Sequence, residues 1–190
     1  MTASVSEMNW EIGEVVTHAK GVKSAQILDK RGSLIVQHLA TPREPLSTPF
    51  GASAFNDPTA TRKNICFRLN PVLTGKITKI GKFMSRYIAK HSNRLFKGRQ
   101  LTYKPILVPG KEEYSPLIRC KINTVGLKAC RCWDGGERCE MPEDLREYSL
   151  VPRVHFRSLW IMGDSCGVTV DVIDLRVSRM ADEWPFSDEE

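Results

Sequence analysis

Residues 148–180 read YSLVPRVHFRSLWIMGDSCGVTVDVIDLRVSRM, with apolar runs at 156–162 and 168–177 around a Gly-containing loop at 163–167. Runs rich in Val, Ile, Leu and aromatic residues on either side of such a loop predict a β-hairpin. The second run carries a finer pattern. Val168, Val170 and Val172 share one phase of a two-residue period, and Ile173, Leu175 and Val177 share the other. A strand cannot keep both sets on its buried face unless one extra residue enters near Val172–Ile173. The spacing therefore predicts a bulged, bent strand of the kind that curls a sheet into a small barrel.

Beyond the hairpin the charge changes sign. Residues 181–190 hold Asp182, Glu183, Asp188, Glu189 and Glu190 with no Lys or Arg, while the whole chain is +6, which leaves +11 on residues 1–180. A basic body with a short acidic segment, and Trp184 and Phe186 inside that segment, predicts a polyanion-binding domain whose tail mimics its ligand. Hydrophobic content of 41% and charged content of 26% are ordinary for a globular domain. No apolar run nears the roughly 18 residues of a membrane span, so no membrane partner is expected. Residues 1–16 lack a basic n-region and an apolar h-region, which argues against secretion. The expectation is an intracellular, reducing compartment with the six cysteines as thiols.

Residues 1–22 are weakly patterned: Met8, Ile12, Val15, Val16 and Ala19 recur at helical spacing, and a frayed arm fits equally. Residues 23–39 read as a hairpin turning on Asp29-Lys30-Arg31-Gly32. Residues 41–61 contain Pro42, Pro45, Pro49 and Pro58 and read as a long loop, with Phe50 and Phe55 expected to pack part of it down. A strand follows at 64–69. From 72 to 96 the period lengthens. Leu73, Ile77, Ile80, Met84, Ile88, His91 and Leu95 repeat every three or four residues and predict an amphipathic helix. Its other side carries Lys76, Lys79, Lys82, Arg86, Lys90, Arg94 and Lys97, with Phe83 among them. Solubility is served better by mixed signs, so an all-cationic face is a candidate for phosphates or for the acidic tail.

Strands return at 101–108, 117–123 and 127–133. Ile118, Cys120 and Ile122 alternate with Arg119 and Lys121, and Cys130 and Cys132 alternate with Arg131 and Trp133. With the cysteines inside, both strands show cations and a ring to solvent. Tyr103 and Lys104, and Arg157 and Trp160 on the first arm of the hairpin, join them as candidates. Basic groups interleaved with rings on a curved sheet suit single-stranded nucleic acid. Cations follow the backbone, and each stacked base contributes roughly 1–3 kcal/mol. A strand tryptophan is as often a core residue, and the pattern leaves both options open for Trp133 and Trp160.

Strands, one helix, more strands and a bent final hairpin predict a mainly β fold with one long helix. The architecture expected is an OB-type five-stranded barrel with additional hairpins and an amphipathic basic helix. TPFGASAFN at 48–56 running into NICFRLN at 64–70, Tyr148-Ser149-Leu150-Val151-Pro152, LWIMGDSCGVTVDVIDLRV at 159–177 and the acidic-aromatic tail together resemble the single-stranded DNA-binding (helix-destabilising) proteins of phages and large double-stranded DNA viruses. The resemblance spans roughly residues 45–190. It implies a protein that coats single strands during DNA replication, recombination or repair. The division expected is an arm at 1–22, an OB domain at 23–180 and a tail at 181–190. Through Asp182, Glu183, Trp184, Phe186, Asp188, Glu189 and Glu190 it implies contacts with replication proteins and with a homodimer partner. If the source is viral, the host nucleus or a cytoplasmic replication site is implied. Composition does not separate DNA from RNA.

Other chemistries find less in the sequence. Cys130-x-Cys132 with Cys139, His155 and Cys166 offers zinc ligands, but a metal knuckle needs its cysteine pair on a turn. Residues 75–82 imitate a phosphate loop with one residue too many between the glycines, and Phe83 stands where Ser or Thr must bind magnesium. No H-E-x-x-H, G-x-S-x-G or G-x-G-x-x-G occurs. A non-enzymatic protein with no metal and no other cofactor is expected. The standing alternatives are a structural, virion or protein-interaction module that leaves nucleic acid alone, and a small zinc-binding module.

Overall fold

The computed structural model describes residues 8–54, 59–111 and 114–180. In chain order its elements are β1 (Trp10–Thr17), β2 (Lys23–Asp29), β3 (Val36–His38), β4 (Ala52–Ser53), β5 (Arg62–Arg68), α1 (Pro71–Lys90) and α2 (Ser92–Phe96). Then follow β6 (Thr102–Lys104), β7 (Leu107–Val108), β8 (Leu117–Asn123), β9 (Arg131–Asp134), β10 (Glu137–Cys139), β11 (Tyr148–Met162) and β12 (Ser165–Arg179). The readings made for Phe55 and for tail residues 181–190 fall outside the described residues.

The spine is β12. It pairs antiparallel with β11 along its length, and its other edge takes β6, β8 and β9 in succession, each parallel. β8 pairs antiparallel with β5, and β5 with β4. The ring then closes. Leu46 and Leu150 exchange backbone hydrogen bonds of 2.8 Å, and the Arg68 amide donates to the Ser47 carbonyl at 2.9 Å. The segment entering β4 thus ties β5 to β11, and β4, β5, β8, β12 and β11 form a five-membered barrel. The β1–β2 pair extends the sheet beside β11, β3 also lies on β11, and β9–β10 lies on β12.

The phase change expected in 168–177 occurs at Ile173. Arg153 opposes Asp174 while Val154 opposes Val172, so Ile173 is the inserted residue. Val168, Val170 and Val172 are buried before it, and Leu175 and Val177 after it. A second insertion places Arg157 as the extra residue of β11. The hairpin turn is tighter than expected. Met162 pairs with Ser165, so only Gly163-Asp164 form the turn, with Gly163 at φ 54° as such two-residue loops require.

Asn70 starts α1: its Oδ1 accepts from the Leu73 amide at 2.8 Å, and Pro71 opens the first turn. A cap of this type contributes about 1 kcal/mol. Leu73, Ile77, Ile80, Met84 and Ile88 are buried as the period requires. The helix ends near His91, and α2 carries Leu95 and Phe96 into the core.

Five local expectations are corrected. The helical spacing in residues 1–22 belongs to strand β1: a register shift between Ile12 and Val15 spaces its apolar residues as a helix would. Phe50 is 65% exposed, and Leu46 and Thr48 pack in its place. The strand at 101–108 divides into β6 and β7 around Pro105, which has no N–H for a ladder. The strand at 127–133 begins only at Arg131, after a turn holding Gly126 at φ 86°. In 23–39 the turn forms, with the Gly32 amide donating to the Asp29 carbonyl at 2.9 Å, but β3 leaves β2 for β11.

Candidate nucleic-acid interface

The alternation in β8 and β9 sorts side chains as expected. Ile118, Cys120, Ile122, Cys130 and Cys132 are buried, while Arg119, Lys121 and Arg131 are exposed and Trp133 is half-buried. On β11, Leu159 and Ile161 point inward and Trp160 between them is half-buried on the outer side. Neither tryptophan belongs to the core. Trp160 stands opposite Gly167, where an added Cβ would come within 2.6 Å of its ring, so the indole lies across the glycine.

Each tryptophan sits in a hollow with cations at its walls. Trp160 shares about 300 Å³ with Lys104, Arg119, Lys121 and Asn64. Trp133 shares about 700 Å³ with Arg131, Arg153, Arg176 and His38. Trp160 pairs with Gly167 and Trp133 with Arg176 on the same strand. Nine residues of strand separate those anchor points, roughly 30 Å at about 3.3 Å each.

Two acids stand on β12 between those anchor points, and the second of them, Asp174, lines the Trp133 hollow. Asp171 and Asp174 are 7% and 9% exposed. Asp171 takes Arg62 Nη2 at 2.5 Å and Arg157 Nη1 at 3.1 Å. Asp174 takes Arg131 through Nε at 2.6 Å and Nη2 at 2.8 Å, Arg153 Nη1 at 3.1 Å, and the Trp133 indole N–H at 3.3 Å. Burial pushes the Asp174 carboxyl up, but hydrogen bonds from Arg131 and Trp133 and the charges of Arg131 and Arg153 outweigh it and hold it below the usual carboxylate range. Burial lowers Lys121, Arg62 adds to the effect and Asp171 opposes it. The Lys121 ammonium donates to Asn64 Oδ1.

The helix candidates lie elsewhere. Lys76, Lys79, Lys82, Arg86 and Lys90 are exposed along α1, and none of them lines either hollow. Arg94 and Lys97 line a third hollow of about 630 Å³ with Lys23 and Arg99, and Arg94 is committed to the Ile12 carbonyl at 2.8 Å and Tyr87 Oη at 3.2 Å. Two aromatic candidates turn inward. Phe83 packs edge-on against Trp10 at 6.1 Å. Tyr103 opposes Cys166, its hydroxyl is buried without a partner, and burial pushes it up to about 12.

Sequence reading missed Asp171, Asp174, Arg62, Arg153 and Arg176. Asp171 and Asp174 stand three apart in VDVID, which in a regular strand puts them on opposite faces. The inserted Ile173 puts both on one face, and the phase change that predicts the insertion could have predicted that too. The candidate zinc ligands do not gather: Cys132 opposes Cys139, while Cys166 and His155 lie on β12 and β11. Among the described residues no three metal-ligating side chains form a group.

No protein-family model matches the chain, and no curated protein sequence does. Solved structures do. The crystal structure of gp2.5, a single-stranded DNA-binding protein encoded by bacteriophage T7, is 13% identical with a TM-score of 0.51, covering 82% of this chain and 97% of that one. The single-stranded DNA-binding protein from bacteriophage Enc34 is 11% identical with a TM-score of 0.49, covering 95% of each chain. Its complex with single-stranded DNA gives 13%, 0.44, and coverage of 92% and 98%. What the chain shares with the T7 protein at that identity is the fold: mainly β, of the OB type, with one long helix.

Proposed function

We propose that this chain is a single-stranded DNA-binding protein that coats exposed strands during replication, recombination or repair. The observation that carries the reading is the placement of Trp133 on β9 and Trp160 on β11: two half-exposed rings flanking β12 on its outer face, each beside cations. A ring accepts any base and a cation accepts any phosphate, so such a face binds without reading sequence. The fold shared with the T7 protein, which its structure describes as a single-stranded DNA-binding protein, supports the same reading. A path of roughly 30 Å suits the 4–16 nucleotides, approximately, that one OB fold covers. Duplex DNA keeps its bases stacked inside and offers these rings nothing.

The acidic tail begins one residue beyond Met180, and Arg176 of the Trp133 hollow is close to it in sequence. In this reading the tail competes with single strands for that hollow and, once displaced, contacts replication proteins or a second copy of the chain. The site of action is intracellular.

Titration of labelled oligo(dT) and of a duplex of equal length across a salt series tests the proposal. Tighter binding of the single strand is expected, with a log–log salt slope of roughly −0.7 per phosphate contacted. Trp160→Ala should weaken single-strand binding by about 1–3 kcal/mol. Equal affinity for both nucleic acids at moderate salt rejects the reading, and equal affinity for oligo(U) extends it to RNA.

A further inference from the structure

We propose that Asp171 and Asp174 are positioning residues of the binding face: they set four arginines and the Trp133 ring in their working orientation before any nucleic acid arrives. The inference rests on the reading of that face as a single-strand interface. It starts from an oddity of charge. A surface built only to gather phosphates has no use for carboxylates at its centre, where they repel the ligand. Yet two occur, both nearly buried, in a strand otherwise given to Val, Ile and Leu.

Their partners explain the arrangement. A buried carboxylate needs a cation and further hydrogen bonds. Asp171 has one arginine from β5 and one from β11, and Asp174 one from β9 and one from β11. Each guanidinium offers five N–H donors in a rigid fork. Two nitrogens on a carboxylate set its plane, a single one, as for Arg62, Arg153 and Arg157, tethers its head, and in both cases donors are left over. Arg131 shows this most clearly, because Nε and Nη2 grip the two oxygens of Asp174 side-on and leave Nη1 over. The indole N–H of Trp133 is donor-only, and Asp174 accepts it. Asp174 therefore fixes the ring and the two arginines of one hollow together. The Ile173 insertion is what puts both acids on this face.

Asp174→Asn in the full chain separates positioning from charge. The substitution keeps the shape and adds one net positive charge. On charge alone, oligo(dT) binding should tighten and the salt slope steepen by up to about 0.7. Positioning predicts the opposite for affinity: a loss of about 5- to 150-fold, the worth of stacking one base, with a slope that does not flatten. Arg131→Lys, at an exposed site, keeps the charge and loses the fork, so it should weaken binding by a similar factor at constant slope. It also serves if Asp174→Asn does not fold. Binding as tight as, or tighter than, the unsubstituted chain in both variants overturns the proposal. So does a joint fall of affinity and slope. A failure of the functional reading is distinguishable, because then the unsubstituted chain binds no oligo(dT). In that case the Trp133 indole 15N–1H resonance of nucleic-acid-free protein decides. A shift and faster relaxation in Asp174→Asn support positioning, and an unchanged resonance overturns it.

Discussion

Gly167 is the residue on which the Trp160 hollow depends. A methyl group there would meet the Trp160 ring at 2.6 Å and the Lys104 carbonyl at 2.8 Å, and the second of these is backbone that cannot swing away. Gly167→Ala should cost about 1–3 kcal/mol of stability, read from chemical denaturation, and should move the ring off the strand. His155 supports a prediction about pH. Its Nε2 is buried without a partner, and burial pushes the imidazole below its ordinary value of 6.5, with Asp171 opposing and Arg157 adding to the effect. The unfolded chain therefore takes up a proton at a pH where the folded one does not. The stability due to the neutral ring is fully present above about 6.5 and is lost as pH falls through the folded value. Thermal melts across that window should show a decline that His155→Gln reduces. At this scale the sequence was half legible. Arg119, Lys121, Arg131 and Trp133 followed from alternation alone. The acids did not, since Arg62 meets Asp171 across 109 positions of chain.

Among the elements, β12 shows how far a phase argument reaches. Two apolar sets in opposite registers locate its insertion from spacing alone, because an apolar strand has one buried face and must spend a residue to change it. Deleting Ile173 should remove the bulge and leave a regular strand, with Val172, Leu175 and Val177 still inward and Asp174 still outward. The expected result is a retained cooperative thermal transition, whereas loss of that transition would show that the barrel needs the bend the bulge supplies. The same style of argument failed on β1, where an irregularity over Ile12–Val15 imitates helical spacing. For α1 it succeeded on the buried side. The cationic side remains to be assigned by experiment: Lys79, Lys82 and Arg86 changed together to Glu should weaken oligo(dT) binding and lower the slope magnitude by up to about 2, three contacts at roughly 0.7 each. An unchanged slope would give that side of the helix to solvent or to a protein partner.

For the whole molecule, the contrast between a basic body and an acidic tail was the plainest feature of the sequence, and it yields a direct test. Removing residues 181–190 should tighten oligo(dT) binding, most at low salt, because a tethered competitor acts at millimolar effective concentration and screening weakens it. No tightening at low salt would leave the tail as a partner peptide alone. The closure of the barrel was less legible, since Leu46 reaches Leu150 through a segment that reads as loop. One consequence of the β12 spine concerns synthesis. The strand that β6, β8, β9 and β11 all require is the last of the described elements to leave the ribosome. At roughly 5–20 residues per second, the nascent chain spends several seconds with Phe67, Ile118, Ile122 and Phe156 lacking a completed sheet to cover them. The domain therefore assembles all at once when β12 has left the ribosome, and a message truncated before the codon for Ser165 would yield aggregating chain in place of a smaller working protein.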